Sequence, residues 1–250
     1  MLTAGVDLAA QSKGTALAII DWQTSATVVD LRLDVDDARV VDAARRVGKV
    51  GIDCAFGWPD EFVRFVHAHA NDAADSRTVD GGIDWRRTLA FRETDRDVRR
   101  RTGRWPLSVS TDRLGLTAMR CAGLLARIAE AGIPVDRAGS GRVVEIYPGA
   151  SLRLWGFATA GYRTDPEDRR RLLRTIQDAA PWLDVGDFEP AMISSADAFD
   201  AVIAALAARS AARGTSSAPP ADVSALAARE GWIALPEGPI ADLILDADTA

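Results

Sequence analysis

Lone acids in apolar surroundings are the residues of this chain best placed to do chemistry. Asp7 interrupts the apolar run Leu2–Leu8, and Asp53 interrupts Lys49–Phe56 (KVGIDCAF). Glu145 is the single acid of Arg142–Tyr147 (RVVEIY). Asp197 and Asp200 stand three residues apart in ADAFDAVIAAL, so they share one helix face near a helix start, where negative charge is favoured. A carboxylate in an apolar run is costly to bury unless a metal, a cation or hydrogen-bond donors meet it. Several carboxylates brought together repel one another and call for divalent cations. An all-oxygen set suits Mg²⁺ or Mn²⁺ rather than zinc. Two such ions about 4 Å apart activate a water and steady the leaving oxygen of a phosphodiester. Plainer roles stand beside this one: helix capping for Asp197, a hydrogen-bonded structural acid for Asp53, and an arginine partner for Glu145.

Two basic features could serve an anionic substrate. Lys13-Gly14-Thr15 is a turn able to face a phosphate, or simply a hairpin turn. Arg92, in Arg92-Glu93-Thr94-Asp95, either holds a phosphate bidentately or forms a structural ion pair. The wider arginine run from Arg86 to Arg104 is interleaved with acids, so it reads equally as a nucleic-acid-facing patch and as a solvated mixed-charge face. Trp58, Trp85 and Trp105 could stack on bases, although core or lid packing accounts for each.

Composition removes other chemistries. The chain has 250 residues, a net charge of -6 and an ordinary apolar fraction of 48%, enough for one large domain. The acidic balance argues against broad nonspecific nucleic-acid binding but leaves room for a local basic patch. His67 and His69 share one helix-like segment with no serine elbow nearby, which disfavours a Ser-His-Asp triad. Cys54 and Cys121 lack metal-ligand spacing and suit a reduced, cytoplasmic setting. There is no signal-peptide pattern and no apolar span long enough for a membrane helix.

The elements that must position these acids follow from hydrophobic pattern and turn chemistry. Leu2–Leu8 and Thr15–Ile20 flank a glycine-bearing turn and read as a β-hairpin. Ala26–Leu33 is a third strand, a helix runs from the acids at 34–37 to about Val47, and Lys49–Phe56 is a fourth strand. A three-strand antiparallel meander, a crossover helix and a strand parallel to the first is the opening of the ribonuclease H-like α/β fold. A right-handed crossover sets strand four beside strand one, with Asp7 and Asp53 at neighbouring strand ends. Residues from about 57 to 110 read as an insertion: a helix from Pro59 to about Ala74, then polar, irregular chain to Arg104. Helices follow over Arg113–Ala131, Ala150–Gly156, Asp165–Ala180 and Ser195–Arg209. Arg142–Tyr147 and Gly231–Pro236 are short strands, and the tail after Gly238 is expected to pack loosely. One domain spans 1–250.

Six segments in order carry a resemblance over nearly the whole chain: GVDLA, GIDCAFGWP, RETDRDVR, VVEIYPGAS, ADAFDAVIAALAAR and EGWIALP. Together they resemble the domain of unknown function 429 family, described as predicted nucleases of the ribonuclease H-like fold. The DAFDAVIAAL helix also looks like the last catalytic helix of RuvC-type Holliday-junction resolvases. The resemblance implies a metal-dependent nuclease whose catalytic acids are Asp7, Asp53, Asp197 and Asp200. Glu145, in the motif E-x-Y-P, is an added or competing member. Asp7, Asp53, Glu145 and Asp200 would hold Mg²⁺ or Mn²⁺, and the partner would be nucleic acid. Two other classes stay open. GVDLAAQSKGT faintly resembles the phosphate loop of an actin-like phosphotransferase or ATPase, without the glycine expected after the Asp-x pair. A noncatalytic nucleic-acid- or ligand-binding module would retain the fold with its carboxylates neutralised by arginines.

Overall fold

The computed structural model of the protein describes residues 1–71 and 81–245. The chain opens with a meander of β1 (Leu2–Asp7), β2 (Ala16–Trp22) and β3 (Ala26–Leu33). Helix α1 (Asp37–Arg46) crosses over to β4 (Lys49–Asp53). The helices described after it are α2 (Asp60–Ala70), α3 (Gly82–Ala90), α4 (Glu93–Thr102) and α5 (Gly115–Glu130). Strand β5 (Val143–Glu145) then leads into α6 (Pro148–Leu154) and α7 (Pro166–Ala179). The last elements are β6 (Leu183–Asp184), α8 (Glu189–Ser194), α9 (Ala196–Ala212) and α10 (Ser224–Glu230). The six strands form one mixed sheet in the order β5-β4-β1-β2-β3-β6. β1 pairs antiparallel with β2 and parallel with β4, and β4 pairs parallel with β5.

Side chains alternate between the two faces of a strand, and here each face has its own core. Ala4, Val6, Val50 and Ile52 join α1 and the Cys121–Ile128 side of α5 in one cluster. The opposite face is covered by α9, whose Ala201, Ala204, Ala205 and Leu206 join Ala16, Ala18 and Ile20 of β2. α9 is apolar around nearly its whole circumference because the rest of its surface packs against α6, α8 and the C-terminal segment.

The seat of α9 on the sheet is unusually close. Gly5 of β1 and Gly51 of β4 are register partners. A Cβ built on Gly5 would fall 2.0 Å from the Ala201 carbonyl oxygen and 2.2 Å from the Ala205 nitrogen. One built on Gly51 would lie 2.7 Å from the Ala204 carbonyl oxygen. Thr3 locks the same seat, donating to the Ala205 carbonyl at 3.0 Å while accepting from the Trp22 indole at 2.9 Å.

Several elements differ from expectation. The insertion is more ordered than its polarity implies: α3 and α4 occupy it, stabilised by ion pairs such as Arg100–Glu93 and Arg101–Asp97. The second helix ends at Ala70, and its expected extension to Ala74 lies outside the described residues. Gly231–Pro236 is not a strand but makes isolated bridges through Ile233 and Pro236. β6 was not foreseen, because two residues carry no readable alternation. The segment after Gly238 is anchored rather than loose. Ile240 and Leu243 enter the core, and the Leu243 carbonyl accepts from Arg209 Nε at 3.1 Å.

The glycine seat predicts opposite outcomes for one substitution at two places. Gly5→Ala places a methyl inside the backbone of α9 and is expected to lose about 3 kcal/mol or more in urea unfolding. Gly123→Ala, in open space on the exposed side of α5, is expected to be neutral or to gain up to about 1 kcal/mol. Equal effects at both positions would contradict the close approach.

Candidate functional site

Parallel pairing of β1 and β4 sets Asp7 directly beside Asp53 at the strand ends. Both follow the two-residue alternation from Gly5 and Gly51, so they share the face on which α9 sits. Ser195 caps α9, its Oγ accepting from the Ala198 nitrogen at 3.1 Å, and Asp200 arrives over the strand ends one turn later. Asp200 is fully buried and Asp7 nearly so. Asp53 is half-buried, and with Asp7 it lines a cavity of about 540 Å³. Among the described residues, Asp7 Oδ2 and both Asp200 carboxylate oxygens lack a hydrogen-bond partner although buried. The nearest cation is Arg163, on the loop between α6 and α7. Its Nη1 lies 2.6 Å from Asp200 Oδ2 and its Nη2 3.9 Å from Asp7 Oδ2. The first contact is close but misaligned as a hydrogen bond, so it acts as an ion pair.

Glu145 and Arg92 belong to a second, tightly satisfied network. Arg92 Nη1 and Nη2 donate to the two oxygens of Glu145 at 2.9 and 2.8 Å. Arg92 Nε and Nη2 donate to Asp95, and Nη1 also donates to the Glu230 carbonyl. All five guanidinium N–H groups are thereby used, leaving none for a phosphate. The structural ion pair is the arrangement found for Arg92. Glu145 Oε2 also accepts from the Phe56 nitrogen at 2.9 Å, so this acid is held as a structural partner rather than kept free for a metal. Glu230 completes the node by capping two helices. Its Oε1 accepts from the Asp60 nitrogen at the start of α2, and its Oε2 from the Glu93 nitrogen at the start of α4. Asp197 is half-buried and does not line the cavity; it reaches Asp7 and Asp200 through charge alone. Lys13 is exposed on the β1–β2 turn. None of the three tryptophans lines the cavity: Trp105 stacks on Phe91 at 4.1 Å between ring centroids, and Trp85 packs edge-on to Phe65.

The match that decides the family covers residues 5–225, a family described as "Protein of unknown function (DUF429)". The chain belongs to the DUF429 family. No curated protein and no solved structure matches it. In this DUF429 protein the segments RETD, EIYP and EGW meet in one place, the Arg92–Glu145–Glu230 network. Gly231 within EGW has φ +90°, and a Cβ there would sit 2.6 Å from Glu145 Oε2. GVDLA, GIDCA and DAFDA meet at the acid cluster beside it.

Burial raises Asp7 well above the usual carboxylate range, and Asp53 and then Asp200 push it further, with Arg163 opposing. Burial and then Asp200 push Asp53 up to about 8. Asp200 rises to about 6 through burial, against the pull of Arg163 and the Tyr162 hydroxyl. Burial works against the charged form of Arg163, but Asp200 and then Asp7 outweigh it and raise its pKa. Sequence reading missed Tyr162 and Arg163, whose only signal is a loop glycine beside an aromatic and a cation.

The donor set of this DUF429 protein fits a hard divalent cation in kind. Asp7, Asp53 and Asp200 are three carboxylates in one cluster, Asp7 and Asp200 buried with oxygens that lack a hydrogen-bond partner, and Arg163 is set against them. As they stand, no three His, Cys, Asp or Glu side chains among the described residues are grouped closely enough to enclose a metal. Arg163 bridges part of the space between Asp7 and Asp200.

Two predictions follow from these charges. Raised carboxyl pKa values mean that the folded chain keeps protons the unfolded chain has already released. In the metal-free protein this destabilisation is absent below about pH 4, grows as pH rises above it, and levels off once pH passes the folded values of Asp200 and Asp53, about 6 and about 8. Asp53→Asn should therefore raise the melting temperature at pH 8 in chelator by about 3 °C or more, with the gain vanishing near pH 4. A gain independent of pH would refute this. Arg92→Ala strands Glu145 and Asp95 as buried charges and is expected to cost about 3–5 kcal/mol in denaturant titration. A fully stable variant would show that Arg92 is not structural.

Proposed function

We propose that this protein is a metal-dependent phosphodiesterase acting on nucleic acid, built on a ribonuclease H-like sheet. One observation carries the reading: Asp7 and Asp53 are side by side at parallel strand ends, with Asp200 of α9 buried beside them and its oxygens without a hydrogen-bond partner. The strand order β5-β4-β1-β2-β3, with β2 alone antiparallel to both its neighbours, supports the fold assignment. Asp7, Asp53 and Asp200 would hold Mg²⁺ or Mn²⁺, which supplies Lewis-acid activation of water and charge stabilisation at phosphorus. Burial and Asp200 raise Asp53 to about 8, favouring its protonated form near neutral pH, and its release of that proton would be favoured by a bound divalent cation. Arg163, half-exposed on the cavity wall, brings positive charge to the side where a phosphate oxygen would lie. Tyr162, held beside Asp200 and kept protonated by burial, helps orient that carboxylate.

The Arg163–Asp200 pair itself favours a second reading, a noncatalytic pocket in which the guanidinium neutralises the acid permanently. One experiment separates the two. Purified protein is assayed on single-stranded, duplex and junction DNA and on RNA with Mg²⁺ or Mn²⁺, alongside titration of Mn²⁺ by calorimetry. The phosphodiesterase reading expects cleavage that falls at least about a hundredfold in Asp7→Asn, together with weaker Mn²⁺ binding. Neither cleavage nor Mn²⁺ uptake leaves the noncatalytic pocket.

A further inference from the structure

The cavity above the acids has walls of a particular composition. Its lining includes Asp7 and Asp53 from the strand ends, Leu107, Arg113 and Leu114 from the chain entering α5, and Tyr147, Arg153 and Arg163 from α6 and the chain on either side of it. Most arginines of the neighbouring helices are bound to carboxylates, among them Arg87, Arg96, Arg100 and Arg101. Arg113 and Arg153 differ, having neither an ion pair nor a side-chain hydrogen bond among the described residues. Both line one cavity, Arg113 exposed and Arg153 half-buried, together with the Tyr147 ring and the acids Asp7 and Asp53. Two unpaired arginines lining one cavity mark a place for an anion that reaches both of them.

Size and chemistry limit what that anion can be. A volume of about 540 Å³ lies within the range of small-molecule sites. Asp7 is only 8% exposed and Asp53 half-buried, so a reacting phosphate must enter the cavity to reach them. In a duplex the phosphates lie on the outside of a wide cylinder and the bases have no free face to offer Tyr147 or Leu107. An unpaired nucleotide offers both a flexible phosphate and a free base. We propose that the cavity takes an unpaired nucleotide segment of one or two residues, its phosphates held by Arg113 and Arg153 and a base set against Tyr147. This proposal rests on the phosphodiesterase reading for its reacting phosphate, but its recognition step is separable from hydrolysis. The substrate class is then single-stranded nucleic acid or a dinucleotide, and a duplex is admitted only where it frays.

Binding is measured by fluorescence anisotropy with a labelled single-stranded dodecamer in EDTA and again with Ca²⁺. Competitors are an unlabelled thymidine dinucleotide and the blunt duplex of the same sequence. The expected result is that the dinucleotide and the single strand compete while the duplex competes at least tenfold more weakly. Arg113→Ala and Arg153→Ala should each weaken single-strand binding about fivefold or more and lower the salt slope by about 0.7, with melting temperatures unchanged. Duplex binding as tight as single-strand binding, unchanged affinity in both variants, or no binding of any probe overturns the proposal. Asp7-dependent cleavage of duplex alone would overturn it and leave the phosphodiesterase reading intact. Arginine-dependent single-strand binding with no cleavage under any metal would uphold it and overturn that reading.

Discussion

The site depends on a contact between two backbones. Helix α9 rests on Gly5 and Gly51 with no side chain between, at distances that exclude even a methyl. Such proximity requires small residues on both partners, and the helix supplies Ala201, Ala204, Ala205 and Ala208. It also requires a stop against sliding, which Thr3 provides by bonding the Ala205 carbonyl. A helix seated in this way cannot retreat from the sheet by the width of a side chain. Asp200, one turn into it, is therefore held over Asp7 and Asp53 whether or not their charges welcome it.

That constraint explains the electrostatics. Three carboxylates are brought into one desolvated cluster, and the cation set directly against them is the half-exposed guanidinium of Arg163. The neighbouring Glu145 receives the opposite treatment. It is met by Arg92, whose every N–H is used, and by a backbone amide. Satisfied and unsatisfied acids thus lie side by side. The satisfied network joins β5, α4, α10 and the loop after β4, so it fixes the part of the cavity lined by Arg92 and Glu145. The unsatisfied cluster is the part whose charge is left open to a ligand.

Much of the fold was legible because it rests on local pattern. The meander, the crossover helix and the late alanine-rich helix each announce themselves by alternation, capping residues or helical spacing, and Ser195 caps as its type and position suggest. Parallel placement of β4 beside β1 follows from handedness, and with it the pairing of Asp7 and Asp53. What lacked local pattern was misread: the two-residue β6, the bridges of Ile233 and Pro236, and the C-terminal segment that fills the core. The polar insertion looked irregular because its helices are held by ion pairs more than by an apolar face.

The amino-acid sequence by itself determined which acids were anomalous, since an Asp inside an apolar strand is expensive wherever the chain folds. It also determined the glycines and alanines that let a helix lie flat on a sheet. Only the tertiary structure decided which acids remain open. Arg92 reaches Glu145 across 53 positions of chain, and Arg163 reaches Asp200 from a loop with no pattern of its own. Partner choice between charges depends on distance and angle in space, and neither is encoded in the spacing of residues along a strand or helix.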